Sequence, residues 1–291
     1  MTNKCLTLAL HGGAGATPDR NYDAEVVHMR GLVEAARDRL RAGASALDVA
    51  VETVQALEAS GLYVAGRGAS ANAAGRWELD ASLMDGPTQR AGAVAALEGF
   101  KSPIAAARAV METTPHVMLV GDGAAALSRD AKLEAIGDPA QWFTPAGRRP
   151  SGVPAGLSHG TVGCVVRDGE GRLAAATSTG GVFNKRLGRV GDAPIPGAGT
   201  WADDTVAVSC TGLGEYFIRT ATAAQVAFRM RLAGQSLAAA ADAALSEVKA
   251  LGGDGGLIAV NAAGDIVMPY NSQGMKRAAL HADGRIESLV F

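Results

Sequence analysis

Hydroxyl side chains beside glycines are the residues of this sequence best suited to nucleophilic chemistry. Thr161 follows Gly160, the run 177–181 reads Thr-Ser-Thr-Gly-Gly, and Thr211 precedes Gly212. A hydroxyl can act as a nucleophile, and glycine-rich strand ends expose backbone N–H groups that can stabilise an oxyanion. A single threonine of this kind could equally be an ordinary strand residue, so the prediction rests on the whole cluster.

A threonine hydroxyl needs a base that accepts its proton. If the threonine is the first residue of a chain, its own α-amine, with a pKa of about 7.7–8.0, can serve at neutral pH. A cut between Gly160 and Thr161 would produce that terminus. Glycine can adopt backbone angles closed to other residues, as a strained scissile bond requires. We therefore expect cleavage at this bond and Thr161 as the nucleophile.

The apolar runs around Thr161 predict a β-hairpin. Residues 161–167 and 172–178 are joined by Asp-Gly-Glu-Gly, which favours a turn. A turn centred in that loop places Thr161 opposite Ser178 and leaves Thr179 one residue beyond. Directly opposed residues have Cβ atoms about 4.5–5.5 Å apart, so we expect these hydroxyls to share one end of the hairpin.

Further elements surround the hairpin. A third apolar run, 205–210, leads to Thr211, and if this strand pairs nearby, Thr211 and its glycines reach the same rim. Helices are predicted at 22–42, 46–58, 104–112, 215–232 and 236–251, and other strands at 6–10, 116–120, 256–260, 265–269 and 286–291. The alternation of strands with paired helices indicates stacked sheets covered by helices.

A proline-rich segment interrupts this pattern. Residues 128–159 contain four prolines and show little periodicity. A stretch of this kind inside a compact chain is typical of a functional segment or a linker. We interpret it as the one joint of the chain, and it ends at the expected cleavage position.

The composition excludes several classes of protein. Lys and Arg total 27 against 29 for Asp and Glu; the net charge of −2 excludes a strongly basic nucleic-acid-binding protein. No apolar run reaches the roughly 20 residues of a membrane-spanning helix. The apolar stretch 5–10 is expected to be a buried strand and not a signal peptide. Three cysteines without a Cys-x-x-Cys spacing indicate reduced thiols in a cytoplasmic protein.

Seven motifs together resemble the plant-type asparaginases, also called isoaspartyl peptidases, which are N-terminal-nucleophile hydrolases. The motifs are His-Gly-Gly-Ala-Gly at 11–15, Glu-Leu-Asp-Ala-Ser-Leu-Met-Asp-Gly at 78–86, Ala-Gly-Ala-Val at 91–94, His-Gly-Thr-Val-Gly at 159–163, Thr-Ser-Thr-Gly-Gly at 177–181, Gly-Arg-Val-Gly-Asp at 188–192 and Cys-Thr-Gly-Leu-Gly-Glu at 210–215. The resemblance covers nearly the whole chain apart from the joint.

The resemblance implies a fold and an architecture. The expected fold is of the α+β class, a four-layer αββα sandwich forming a single domain over 1–291. The precursor would cut itself into an α subunit, 1–160, with a flexible linker at about 128–160, and a β subunit, 161–291. Two αβ units would then associate as a dimer, a heterotetramer of four chains.

The resemblance also implies the reaction. Thr161 would attack the side-chain amide of L-asparagine or the isopeptide carbonyl of a β-aspartyl dipeptide, and water would release the β-aspartyl enzyme. Thr179 would hydrogen-bond the nucleophile, and Thr211 and Gly212 would supply the oxyanion donors. No cofactor takes part in this chemistry.

An aspartyl substrate also needs recognition of its charged groups. Arg189 offers a planar fork for an α-carboxylate, and Asp192 offers a carboxylate for an α-ammonium group. By themselves these residues could form a simple salt bridge in a glycine-rich loop. With the resemblance we interpret them as a substrate clamp, with Gly214 as a further backbone contact.

One loop departs from the family pattern. Val64 stands where the family usually has an Asn that supports the oxyanion site, and valine cannot donate a hydrogen bond. Loss of one oxyanion donor costs about 10²–10³ in turnover, and loss of an indirect donor costs less. In relatives the same loop binds a structural sodium ion through backbone carbonyls. Here those carbonyls would belong to Leu57, Glu58, Ser60, Tyr63, Ala65 and Arg67.

Three alternatives remain at the level of the sequence. An aspartylglucosaminidase-like hydrolase of N4-glycosylasparagine shares the Gly-Arg-Val-Gly-Asp pattern, but its precursors are secreted and disulfide-bonded. An α/β-hydrolase would need Gly-x-Ser-x-Gly, which the sequence lacks. A non-catalytic glycine-rich ligand-binding protein would remain a single chain, and the sequence has neither common phosphate-binding glycine motif.

Overall fold

The computed structural model describes residues 5–146 and 159–291. The helices are α1 (Asp23–Arg41), α2 (Ala46–Ser60), α3 (Pro103–Thr113), α4 (Gly121–Asp130), α5 (Pro139–Trp142), α6 (Gly214–Thr220), α7 (Thr222–Ala233) and α8 (Leu237–Ala250). The strands are β1 (Thr7–Ala14), β2 (Leu79–Asp85), β3 (Ala91–Leu97), β4 (Met118–Val120), β5 (His159–Arg167), β6 (Leu173–Val182), β7 (Thr200–Ala202), β8 (Val206–Gly212), β9 (Gly255–Asn261), β10 (Ile266–Val267), β11 (Met275–Leu280) and β12 (Ile286–Leu289).

These strands form two sheets. The large sheet has the order β12-β11-β1-β5-β6-β2-β3-β4, and the small sheet has the order β10-β9-β8-β7. Neighbours run antiparallel throughout, except for the parallel pair β3 and β4. The expected hairpin, β5 and β6, lies in the middle of the large sheet. The strands that carry Thr161 and Thr179 are therefore hydrogen-bonded to neighbouring strands on both sides.

Three apolar cores separate the layers. One lies between the sheets and includes Ala9 and Val165 of the large sheet with Ile258 of the small one. The outer face of the large sheet packs on α1 to α4, and the outer face of the small sheet packs on α6 to α8. Alternate residues of a strand point to opposite faces, so both faces of each sheet are buried. The αββα layering expected from the sequence is confirmed.

Local signals set several helix boundaries as predicted. The Ser45 hydroxyl accepts a hydrogen bond from the Asp48 amide at the start of α2, and Ser102 caps α3 ahead of Pro103. Gly61, with φ +73°, ends α2 in the left-handed conformation that favours glycine.

Two element predictions were wrong in detail. The helix expected over 215–232 is divided into α6 and α7 at Ala221, whose φ of +48° no α-helix accommodates. The strand expected at 116–120 shrinks to β4 at the sheet edge, where Val120 is 58% exposed and not buried. Edge position explains both its shortness and its exposure.

The joint is partly described. Residues 128–146 contain the end of α4 and the short α5, and the Phe143 ring stacks on Trp77 with centroids 4.9 Å apart. The rest of the expected linker, 147–158, lies outside the described residues. No helix in the described ranges is long and apolar enough to cross a membrane. Cys5, Cys164 and Cys210 are free thiols, as expected.

Candidate active site

The nucleophile candidate stands in a row of polar side chains on the inner face of the large sheet. Thr161 of β5 pairs with Thr179 of β6, and Thr179 pairs with Asp80 of β2. The sequence placed Thr161 opposite Ser178, which is wrong by one residue. The Asp168 carboxylate accepts hydrogen bonds from the Glu170 and Arg172 amides, which makes the turn five residues long instead of four.

The register correction brings the two threonines into contact. The Thr161 hydroxyl donates to the Thr179 hydroxyl at 3.3 Å, and the residues are 4% and 3% exposed. Thr179 Oγ1 also accepts a hydrogen bond from the Gly181 amide at 3.0 Å. This second bond fixes the Thr179 rotamer, so the partner hydroxyl is held in place before any substrate arrives.

The peptide bond before Thr161 is packed between glycine and valine. A Cβ on Gly13, which has φ +98°, would lie 2.7 Å from the Gly160 Cα, and a Cβ on Gly160 would lie 3.0 Å from the Val64 Cγ2. Only glycine permits such close approach at Gly13. The His-Gly-Gly motif therefore serves to admit β1 next to the Gly160–Thr161 bond.

Sequence reasoning missed the role of His11 in this site. Its Nδ1 lies 2.9 Å from the Thr161 carbonyl oxygen, and its Nε2 lies 3.0 Å from Ser209 Oγ. No local sequence signal indicates this contact, because it depends on the pairing of β1 with β5, which places His11 opposite Gly163. A Cβ on Gly163 would lie 2.0 Å from Ser209 Oγ, so glycine leaves room for this contact.

Burial keeps His11 neutral. The side chain is inaccessible to solvent, and desolvation lowers the pKa of His11 to about 3, against the opposing hydrogen bond with Thr161. A neutral imidazole with its proton on Nδ1 donates to the Thr161 carbonyl and accepts from Ser209. His11 thus positions the Thr161 backbone and does not act as a general acid or base at neutral pH.

Thr211 reaches the site from the other sheet. From the sequence, Thr211 would reach the rim of the hairpin if strand 205–210 paired nearby. The strand, β8, belongs to the small sheet and faces the hairpin across the inter-sheet core. Thr211 Oγ1 accepts a hydrogen bond from the Ala14 amide at 3.1 Å. Its hydroxyl hydrogen can therefore be donated to another acceptor. Gly212 follows at the strand end, where a Cβ would lie 2.4 Å from the Asp254 carbonyl oxygen.

The three expected substrate-binding residues gather around Gly191. A Cβ on Gly191 would lie 2.8 Å from Arg189 Nη1, and a Cβ on Gly214 would lie 2.8 Å from Asp192 Oδ1. Asp192 is 3% exposed. Each glycine therefore allows a charged group to approach the backbone closely.

Arg189 already has a carboxylate partner. Its Nε and Nη2 donate to the two carboxylate oxygens of Glu215 at 2.9 and 2.8 Å, a bidentate pair in which the Arg189 side chain is 15% exposed. The simpler interpretation from the sequence was a salt bridge between Arg189 and Asp192 within the loop, whereas the carboxylate that pairs with Arg189 belongs to Glu215 of α6. A guanidinium has five N–H donors, so the edge formed by Nη1 and Nη2 still offers a fork to a second carboxylate.

A buried ion pair supports the same side of the site. Lys185 Nζ lies 3.9 Å from Asp80 Oδ2 and donates to the Glu78 carbonyl oxygen at 2.8 Å. Burial raises the pKa of Asp80, and the Lys185 charge opposes that rise. Both side chains are fully buried. Sequence reasoning used 78–86 only as a family motif and missed this pair beside Thr179.

The loop after α2 touches the site through Val64. The Val64 carbonyl accepts a hydrogen bond from the Gly180 amide at 2.8 Å, while its side chain faces Gly160. Val64 thus supplies a backbone acceptor to this loop, but its side chain has no hydrogen-bond donor. In the described part of the chain, no group of three or more His, Cys, Asp and Glu residues could hold a metal ion.

Comparisons with known proteins identify relatives of this chain over nearly its whole length. The sequence matches the asparaginase family over residues 4–151 and 148–290. It is 46% identical to an isoaspartyl peptidase of Salmonella typhimurium over 95% of both chains. It is 42% identical to a plant-type L-asparaginase of Pyrobaculum calidifontis, over 93% of this chain and 95% of the relative. A probable isoaspartyl peptidase/L-asparaginase 2 of Arabidopsis thaliana is 35% identical over 98% of both chains. Because these matches span nearly the whole sequence, the chain belongs to the asparaginase family.

Proposed function

We propose that this protein is an autoprocessing threonine amidohydrolase that acts on β-aspartyl dipeptides and on L-asparagine. The observation that carries the proposal is the 3.3 Å contact between the hydroxyls of Thr161 and Thr179, directly after Gly160, where a Cβ would lie 3.0 Å from the Val64 side chain. The names of the relatives, isoaspartyl peptidase and plant-type L-asparaginase, support the same substrates.

Maturation comes first in this mechanism. The Thr161 hydroxyl adds to the Gly160 carbonyl, the C–N bond breaks, and an ester replaces the peptide bond. Water then hydrolyses the ester. The products are one chain that ends in the Gly160 carboxylate and one that begins with a free Thr161 α-amine. The contact of His11 with the Thr161 carbonyl supports this step. It holds the Thr161 backbone in place while the peptide bond before Thr161 is broken.

Substrate hydrolysis follows the same pattern. The Thr161 α-amine accepts the hydroxyl proton while Oγ1 adds to the side-chain carbonyl of the aspartyl group. The oxyanion accepts hydrogen bonds from Thr211 and Gly212. Collapse breaks the C–N bond, and the α-ammonium group returns its proton to the departing amine. Water, activated by the amine, hydrolyses the β-aspartyl ester and restores Thr161.

The substrate clamp places the aspartyl group. Its α-carboxylate binds the Nη1 and Nη2 edge of Arg189, its α-ammonium group binds Asp192, and the Gly214 backbone adds a contact. The clustering of these three residues around Gly191 supports this assignment. A clamp for both charges selects an aspartyl group with a free α-amine and α-carboxylate.

A sodium ion is also part of the proposal, held by the loop carbonyls of Leu57, Glu58, Ser60, Tyr63, Ala65 and Arg67. The donor set fits a hard cation, because the Leu57 and Ala65 oxygens each accept one hydrogen bond, from the Ser60 hydroxyl and the Gly68 amide. A carbonyl oxygen has a second lone pair for a cation. We expect a higher melting temperature in sodium chloride than in choline chloride of equal ionic strength. Equal values would contradict the sodium site.

The assembly and location complete the proposal. We expect a dimer of αβ units in the cytoplasm; the three free thiols support a reducing compartment.

Turnover by the purified protein tests the proposal. We expect hydrolysis of β-aspartyl-leucine and of L-asparagine, measured as released leucine and ammonia. An N4-glycosylasparagine, the substrate of the aspartylglucosaminidase alternative, is the third compound to compare. Thr161→Ala is expected to abolish all turnover, whereas Thr88→Ala, on an exposed turn, leaves it intact. Activity retained in Thr161→Ala would contradict the proposal.

A further inference from the structure

A charged cleft opens beside the bond that precedes the nucleophile. Gly160 and Val64 line one part of it, and Arg20, Glu25 and Lys276 line another. No part of the site described above uses these three charged residues. The cleft also contacts Gly12 and Ala14, which flank Gly13 in β1. It therefore reaches the Gly160–Thr161 bond from the β1 and β11 side.

The cleft carries one positive charge in excess. Glu25, which is 4% exposed, pairs with Arg20 at 3.2 Å. Lys276 lies over the Tyr22 ring, with Nζ 5.6 Å from the ring centroid. Among the described residues no carboxylate forms an ion pair with Lys276, although Glu25 attracts its charge from farther away. Burial lowers the pKa of Lys276 to about 8, so the side chain is mostly protonated at pH 7.

The chemistry of the reaction fixes where a leaving group must lie. The departing amine takes its proton from the α-ammonium group of Thr161. The nitrogen of that group is the one that was bonded to Gly160 in the precursor. The leaving group must therefore lie on the side of the Thr161 nitrogen that Gly160 occupied in the precursor. The charged cleft is on that side.

We propose that this cleft is a subsite for the leaving amino acid of β-aspartyl dipeptides, with Lys276 binding its α-carboxylate. The inference rests on the proposed function and names a substrate preference within it. L-Asparagine releases ammonia, which has no carboxylate for the cleft. The subsite thus favours dipeptides over free asparagine. Arg20 is a second cation in the cleft, but its charge is offset by Glu25.

The test compares β-aspartyl-leucine with β-aspartyl-leucinamide, which differs only in the charge of the leaving group. In Lys276→Met we expect KM for the acid to rise about tenfold, the usual scale of one charge-assisted contact, with kcat little changed. The measured quantity is the KM for β-aspartyl-leucine divided by the KM for β-aspartyl-leucinamide. Lys276→Arg keeps the charge and is expected to keep the wild-type ratio, which shows that the effect is not a general loss of structure.

Lys249→Met is the matched control, because this exposed lysine lies at the end of α8, on the outer side of the small sheet. A Lys276→Met variant whose ratio equals that of the wild type would overturn the subsite. Failure of the proposed function looks different: the wild type itself would then hydrolyse neither the acid, the amide nor L-asparagine.

Discussion

At the scale of single residues, the geometry of the site depends on glycines that have no side chain, on a histidine that has no charge and on a valine that has no hydrogen-bond donor. Gly13 and Gly163 admit close contacts that any Cβ would prevent, and Gly160 packs closely on the Val64 side chain. The neutral His11 ring lies 2.9 Å from the Thr161 carbonyl oxygen, and burial lowers the pKa of His11 to about 3. Val64 supplies a backbone acceptor but no side-chain donor. Under the proposed function, we therefore expect the residues around Thr161 to influence turnover as well as Thr161 itself.

Val64→Asn tests this view. The new amide would face the space beside Gly160, where Val64 now packs, and would add a hydrogen-bond donor near the developing oxyanion. We expect kcat on L-asparagine to rise about tenfold, less than the full effect of a direct oxyanion donor. Val64→Leu, which adds bulk without a donor, is the control. A kcat that is unchanged or lower in Val64→Asn would contradict the supporting role of this position.

At the scale of elements, helix α2 is tied to helix α3 through one buried carboxylate. Glu58, which is 1% exposed, accepts hydrogen bonds from the Ser102 hydroxyl at 2.5 Å and from the Ile104 amide at 3.0 Å. Desolvation raises the pKa of Glu58 to about 7, although these hydrogen bonds oppose the rise. The carboxyl group thus links the end of α2, where the loop to Val64 begins, to the start of α3.

The raised pKa predicts a pH-dependent stability. The native state holds the Glu58 proton more tightly than the unfolded state, whose ordinary value is 4.5. The resulting stabilisation is complete below pH 4.5 and is lost as the pH rises through 7. Relative to Glu58→Gln, the free energy of unfolding of the wild type should fall by up to about 3 kcal/mol between pH 4.5 and 8. Urea unfolding at several pH values measures this difference.

The control for this measurement is Glu52→Gln, in the same helix but with a side chain 44% exposed. A difference between wild type and Glu58→Gln that stays constant from pH 4.5 to 8 would contradict the assignment.

The elements also show how far a sequence can be interpreted. Helix caps at Ser45 and Ser102 are local signals, so α2 and α3 could be predicted. The break at Ala221 and the extra residue in the turn organised by Asp168 depend on contacts outside any periodic pattern, so they could not. Thr161, Thr179 and Thr211 were identifiable from their glycines and the family motifs. The contacts of His11 and Lys185 were not, because they depend on which strands become neighbours.

At the scale of the whole molecule, the two expected fragments are interleaved. In the large sheet, β1 of the first fragment lies between β11 and β5 of the second, and β2 pairs with β6 across the other boundary. A cut at Gly160 would sever the chain without opening either sheet. We therefore expect the fragments to stay associated after cleavage and to separate only on unfolding.

The position of the cut tests the central claim most directly. Denaturing mass spectrometry of the purified protein should give two polypeptides, one ending at Gly160 and one beginning at Thr161, while native mass spectrometry gives assemblies that contain both. Thr161→Ala should give one intact chain under the same conditions. A wild-type protein that hydrolyses β-aspartyl-leucine while it remains a single uncut chain would contradict the account.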